Sequence, residues 1–215
     1  MGNLRVPLFE FEKFLNLWYN LFRKWKEGIK LKMSNYWGHF KTVCKHKHWV
    51  AHYCFMSGLY KQGIFHDMSK FSPTEFIESA RYYQGNRSPI DACKEEKGYS
   101  EAWLHHRGRN KHHWEYWVDD FSKGMVPKKM PFKYVLEMVC DYLGAGHAYT
   151  GKKFTIEAEY NWWLDRRKIV IMHEDTKRLV DLFFQYMLEM GIEEVLGNKV
   201  MIAWFKEKYE KGELE

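Results

Sequence analysis

Among its 215 residues the chain has only four cysteines and five prolines. Cys44, Cys54, Cys93 and Cys140 form no Cys-x-x-Cys pair. That argues against a thiolate zinc site and for reduced, buried thiols. No apolar run approaches the ~18 residues of a membrane-spanning helix. There is no signal-peptide pattern of apolar core and cleavage site, no internal repeat and no low-complexity tract. A cytoplasmic protein is expected. Charge of one sign is also lacking, since 34 Lys+Arg face 28 Asp+Glu and the net +6 is spread along the chain. This gives no firm nucleic-acid signal and leans only slightly toward anionic ligands.

Rings are abundant instead. Aromatics make up 18% of the chain, with 10 Trp, and 46% of residues are hydrophobic. That supports one compact domain with a sizeable core. Of the 11 histidines, nine fall between His39 and His113. This clustering is the functional clue.

The periodicity is helical nearly throughout, so an all-α fold is expected. Residues 8–27 space Leu8, Phe11, Leu15, Trp18, Phe22 and Trp25 by three and four, as in an amphipathic helix. It is expected to pack or to form a homodimer, with a membrane-surface role as the less favoured reading. A second helix is expected over 35–57. Ser72-Pro73-Thr74-Glu75 reads as a helix start with a capping box, carrying through Tyr83. Residues 84–98 read as loop with one short helix after Ser88-Pro89. Further helices are expected over 100–107 and over 111–118, the latter capped by Asn110. A loop over 119–130 precedes a strong helix from Pro131 to Ala148. The remaining helices fall at 155–167, 174–190 and 198–211, and the only strand-like run is Lys168–Met172. The domain reading is 1–30 for the N-terminal helix, 31–190 for a helical metal-binding domain and 191–215 for a helical C-terminal extension. The Trp residues of AWLHH and HHWEYW are expected in the core, and Asp165-Arg166-Arg167-Lys168 on a solvated helix face.

Four segments carry metal-ligating side chains in order: KHKHWVAH, IFHDMSKFSPTEF, AWLHHRGRNKHHWEYW and YVLEMVCDYLGAG. From His46 to His66 is a span that a helical hairpin closes, about ten residues out and ten back at ~1.5 Å each. His39 lies near the same face as His46 and is the alternative first ligand. His66-Asp67 puts an imidazole beside a carboxylate that can bridge two cations. The pairs His105-His106 and His112-His113 project into a small volume, which a metal would organise. Asp141 sits in an apolar stretch with Glu137 four residues earlier on the same face, where a carboxylate is costly unless paired or metal-bound.

His46, then His66-Asp67, then Asp141 on a later helix resembles the HD-domain superfamily of metal-dependent phosphohydrolases. Lys70 completes the HD-x-x-K form of that motif. The three long motifs HDMSKFSPTEF, AWLHHRGRNKHHWEYW and MPFKYVLEMVCDYLGAG are similar, over about residues 38–185, to an uncharacterised bacterial and phage family of HD-like proteins. The resemblance implies a single HD-like helical domain holding one or two divalent transition ions: manganese, iron, nickel, cobalt or zinc. It implies His46, His66, Asp67 and Asp141 at one ion, with Asp67 bridging to a second held by His106 and His113. His105 and His112 would then stand behind the ligands or face substrate. Lys70, Arg109 and Asn110 would meet the substrate, and Glu137 or a histidine would relay protons. The implied substrate is a nucleotide or other small phosphate ester. A di-iron oxygenase and a non-catalytic, metal-stabilised interaction protein are the alternatives.

Overall fold

The computed structural model describes residues 33–122 and 124–214. The amphipathic segment 8–27, and with it any dimerisation through that segment, lies outside the described residues. Ten α-helices run through the described chain, with one two-stranded sheet.

Helix α1 spans Met33–Met56 and buries Tyr36, His39, Val43, His46, Val50 and Tyr53. These steps of three, four and seven make one stripe, yet two of its members are histidines. α2 (Tyr60–Phe65) turns back along α1, and a 3-10 turn follows over Met68–Phe71. α3 (Pro73–Arg81), α4 (Pro89–Lys97) and α5 (Glu101–Arg107) begin at serine caps. Ser72, Ser88 and Ser100 each accept a backbone N–H of the first turn. α6 (Phe132–Thr150) is the central helix, and Val135, Leu136, Met138, Val139, Cys140 and Leu143 are buried around it. A helix apolar on most sides belongs in the interior, so the carboxylates of Glu137 and Asp141 go inward with it.

α1 and α6 come unusually close at Gly144. A Cβ there would collide with the side chain and backbone of Val50. This approach brings the His46 region of α1 against Asp141.

α7 (Ile156–Arg167), α8 (Glu174–Met190), α9 (Ile192–Leu196) and α10 (Lys199–Lys211) complete the fold. Trp163 is fully buried, and its Nε1–H donates to Asp181 Oδ1 at 2.8 Å. Beyond residue 190 the chain continues in α9 and α10, and Phe205 and Tyr209 of α10 belong to the same core. The Tyr209 hydroxyl donates to the Met130 carbonyl at 2.5 Å, tying α10 to the start of α6.

Three local expectations are corrected. Residues 111–118 are not a helix: a turn leads into a 3-10 turn over Trp114–Trp117 and then strand β1. The expected loop at 119–130 holds most of a hairpin, β1 (Val118–Phe121) against β2 (Gly124–Pro127), with Val118 opposite Pro127 and Phe121 opposite Gly124. The run Lys168–Met172 is not a strand. Val170 and Met172 are buried while Ile169 and Ile171 are exposed, so the alternation is real but no strand among the described residues pairs with it.

Candidate metal centre

Asp67 lies at the middle of the constellation. It is the only non-glycine with positive φ among the described residues, at 53°. Left-handed backbone costs an L-residue about 1–2 kcal/mol, less for Asp and Asn. The strain turns the chain sharply between α2 and the 3-10 turn and directs the carboxylate into the interior, where Asp67 is 2% exposed. Strain of this kind concentrates at functional sites.

Each carboxylate oxygen of Asp67 serves its own group. Oδ2 stands 3.3 Å from both His46 Nε2 and His66 Nε2. Asp141 Oδ1 completes that group, 3.1 Å from His46 Nε2 and 3.3 Å from His66 Nε2. Asp67 Oδ1 stands 3.3 Å from both His106 Nε2 and His112 Nε2. His113 joins this second group at wider spacing, its ligand atom within 4.8 Å of the others. Ligands bound at ~2.0–2.2 Å in tetrahedral or octahedral geometry stand about 3.0–3.4 Å apart. The distances from Asp67 and Asp141 to the four imidazoles above have that spacing, and His113 stands wider.

Three observations fit two cations. First, His66 Nε2, His106 Nε2, His112 Nε2 and Asp67 Oδ1 are buried with no hydrogen-bond partner. Buried polar atoms are rarely left so. Second, the opposite ring nitrogens are held by carboxylates. His66 Nδ1 lies 3.1 Å and His112 Nδ1 3.3 Å from the same oxygen, Glu137 Oε1. His106 Nδ1 lies 2.7 Å from Glu75 Oε2. A carboxylate on Nδ1–H fixes the tautomer that leaves the Nε2 lone pair for a metal. Third, Asp67, Asp141, Glu75 and Glu137 are all buried, and among the described residues the one ammonium ion-paired with any of them is Lys70 Nζ, 2.6 Å from Asp67 Oδ2. The excess negative charge calls for cations or protons.

The protonation tendencies say the same. Burial opposes charge on His66 and His106, yet Asp67 overrides it and raises both pKa values. Burial pushes Asp67 up, and His66, Lys70 and His106 together hold it well below the usual carboxylate range. Asp141 is held down against burial by His46 and His66. Burial opposes the Lys70 charge as well, and Asp67 and Asp141 more than offset it. His113 is driven far down, by burial and then by His112 and His106.

A cavity of about 570 Å³ opens beside the centre, and His46, Lys70, His106, His113 and Asp141 reach its wall. That volume suits a small organic ligand. Trp103, Trp114 and Trp162 line it too, and Trp162 is 43% exposed. Tryptophans expected in the core are thus cavity wall for Trp103 and Trp114. Arg166, read as solvated surface, also lines the cavity, while Arg167 pairs with Asp181 at 2.8 Å.

The structure brings His46, His66, Asp67, Lys70, His106, His112, His113, Glu137 and Asp141 together. Within the second pair, His112 rather than His113 sits beside Asp67. Glu137 braces two imidazoles and does not line the cavity. His105 Nδ1 is held by Glu75 Oε1 at 2.6 Å. Asn110 does not face the cavity: its amide donates to Ser69 Oγ at 2.8 Å and to the His106 carbonyl at 2.9 Å. Nor does exposed Arg109 line it. Of the three side chains expected at substrate, Lys70 alone lines the cavity. His39 is buried in the cavity wall but belongs to neither ligand group. The sequence reading missed Glu75, Glu115 and Glu159 as cavity or brace carboxylates. Burial and then Asp141 raise Glu159 to about 7.

No helix among the described residues is long and apolar enough to cross a membrane. No curated protein and no solved structure matches the chain. Residues 35–185 match a protein family described as a family of unknown function, DUF5662. That stretch holds every residue of both ligand groups, and the chain belongs to this family.

Proposed function

We propose that the protein is a two-metal phosphohydrolase of the HD type, acting on a small phosphate ester. The carrying observation is one carboxylate, Asp67, shared by two ligand groups at the edge of a cavity that also receives Lys70. His46, His66 and Asp141 would hold one ion with Asp67, and His106 and His112 the other, with His113 on the cavity side. Such an ion pair supplies an activated water nucleophile and offsets charge on a phosphoryl group.

The chain's own residues supply the rest. Glu137 and Glu75 lock the imidazoles so that their Nε2 lone pairs need no reorganisation when substrate arrives. Lys70, held protonated by Asp67 and Asp141, puts a fixed positive charge where a phosphate oxygen would rest. The cavity favours a catalytic role over a structural ion, because a structural site is closed by protein on all sides. The imidazole and carboxylate donors also accommodate iron, so the oxygenase alternative is decided by which metal is present.

The test is elemental analysis of purified, unchelated protein beside a His66→Ala/Asp67→Ala control, followed by phosphate release from a panel of phosphomonoesters. One to two equivalents of manganese, nickel, cobalt or zinc, with release lost in the control, supports the proposal. Iron with oxygen-dependent turnover, or no metal after titration, overturns it.

A further inference from the structure

Away from the ligand groups, the cavity wall carries a carboxylate that the proposed hydrolysis does not use. Glu115 lies in the 3-10 turn after the second histidine pair and lines the cavity. Its Oε2 is buried and has no hydrogen-bond partner. An unmet buried acceptor costs about 1–3 kcal/mol, more when charged. A fold keeps one where a ligand satisfies it.

The neighbouring cations do not fill that role. Burial raises the Glu115 pKa above the usual carboxylate range, and its own backbone N–H and then Arg107, Lys94 and Arg166 oppose that rise, yet no ion pair joins any of the three cations to it among the described residues. The Lys94 ammonium sits over the Trp103 ring instead, 4.9 Å from its centroid. Lys94 and Arg166 line the same cavity. Three cations around one carboxylate repel a further cation, so an amine or guanidinium ligand is disfavoured at Glu115. A neutral N–H donor is not repelled in this way.

Aromatic rings line the same cavity. Tyr142 and Trp162 meet edge to face with centroids 5.0 Å apart, and Trp114 lines the cavity with them. Aromatic faces of this kind accept a planar ring.

From this geometry we infer that Glu115 is a specificity-determining residue. It accepts hydrogen bonds from the N–H edge of a neutral planar ring, which Tyr142, Trp162 and Trp114 hold in the cavity. Resting on the hydrolase reading above, the inference adds what the alcohol part of the ester carries: a nitrogen heterocycle that bears ring or amino N–H donors. A site built to accept such a donor discriminates strongly against analogues that lack it, because the acceptor is then left unpaired.

The test uses the full-length, metal-loaded protein. Its probes are the 5′-monophosphates of guanosine, adenosine, cytidine and purine riboside, with ribose 5-phosphate. Purine riboside keeps the flat ring and lacks the N–H edge, and ribose 5-phosphate lacks the ring. Binding is read by tryptophan fluorescence quenching within seconds of mixing, and hydrolysis separately by phosphate release. At least one donor-bearing ring is expected to bind tenfold or more tighter than both controls. Glu115→Gln, which keeps the size and loses the charge and one acceptor oxygen, is expected to shrink that gap below threefold and to leave ribose 5-phosphate unchanged. Equal binding of all five probes to the unaltered protein overturns the inference, as does a preference that survives Glu115→Gln. The unaltered protein alone gives the first of these outcomes, so the inference stays exposed if the variant misfolds. Donor-selective binding through Glu115 without phosphate release defeats the hydrolase reading and leaves the ring site. Phosphate release indifferent to the ring does the opposite.

Discussion

Glu75 Oε2 stands 2.7 Å from His106 Nδ1. The carboxylate comes from the first turn of α3 and the imidazole from the last turn of α5. The other Glu75 oxygen holds His105 Nδ1 at 2.6 Å. One side chain thus orients both members of the first histidine pair.

Glu75→Gln is therefore expected to weaken metal affinity by about 10–100-fold at the group containing His106 and His112. The group containing His46, His66 and Asp141 should keep its affinity. A two-site metal titration checks this, and an equal loss at both groups would show that Glu75 acts only through global stability.

Asp67→Asn keeps a residue that tolerates left-handed backbone while removing the shared negative charge. Both equivalents of metal should be lost, and any phosphatase activity should fall by more than about 100-fold. Far-UV circular dichroism should change little. Retention of one full equivalent would show that Asp67 does not serve both groups.

His39 should make the protein sensitive to mild acid. Burial, with a smaller contribution from Lys70, lowers its pKa to about 3. In the unfolded chain it titrates near ~6.5. The unfolded state thus binds more protons between those values. Stability from this group is full above about pH 6.5 and declines as pH falls toward 3, by up to ~1.4 kcal/mol per unit. His39→Gln should flatten the fall in urea-unfolding free energy between pH 6.5 and pH 4. Curves that stay parallel for the two proteins would remove His39 as the cause.

Gly144→Ala inserts a methyl group where α6 meets the backbone of α1 at Val50. Overpacking there should cost about 1–3 kcal/mol. Because His46 and Asp141 face each other across the same pair of helices, metal affinity should fall as well. Thermal unfolding with and without added metal separates the two effects, and an unchanged melting temperature would disprove the close approach.

The sequence made the framework of this site legible and hid its supports. His46, His66-Asp67 and Asp141 were readable because a hairpin closes the first gap and a carboxylate in an apolar helix demands a partner. Glu75 was concealed by its setting. Ser72-Pro73-Thr74-Glu75 reads as a capping box, and Ser72 Oγ does accept the Glu75 N–H at 3.4 Å. The carboxylate does not return to the Ser72 N–H, which donates to the Ser69 carbonyl at 2.8 Å instead, and so it is free for the histidines. The choice between His112 and His113 depends on the turn after α5, which replaces the expected helix and faces His112 toward Asp67. Residue spacing cannot supply that rotation. The hairpin was missed because its strands are four residues each, too short for a clear alternation.

The four buried carboxylates of the centre also bear on how long the folded protein lasts. Asp67 and Glu75 come from the strained turn and the start of α3 beside it, and Glu137 and Asp141 from α6 much later in the sequence, so the crowding of charge is complete only when the chain closes. A bound ion relieves that crowding in the folded state and has no comparable seat in the open one, so it acts as a folding ligand. Metal scarcity would then do more than idle the site. The empty chain would open more often, proteases would remove it faster, and its abundance would follow metal supply without any change in its synthesis.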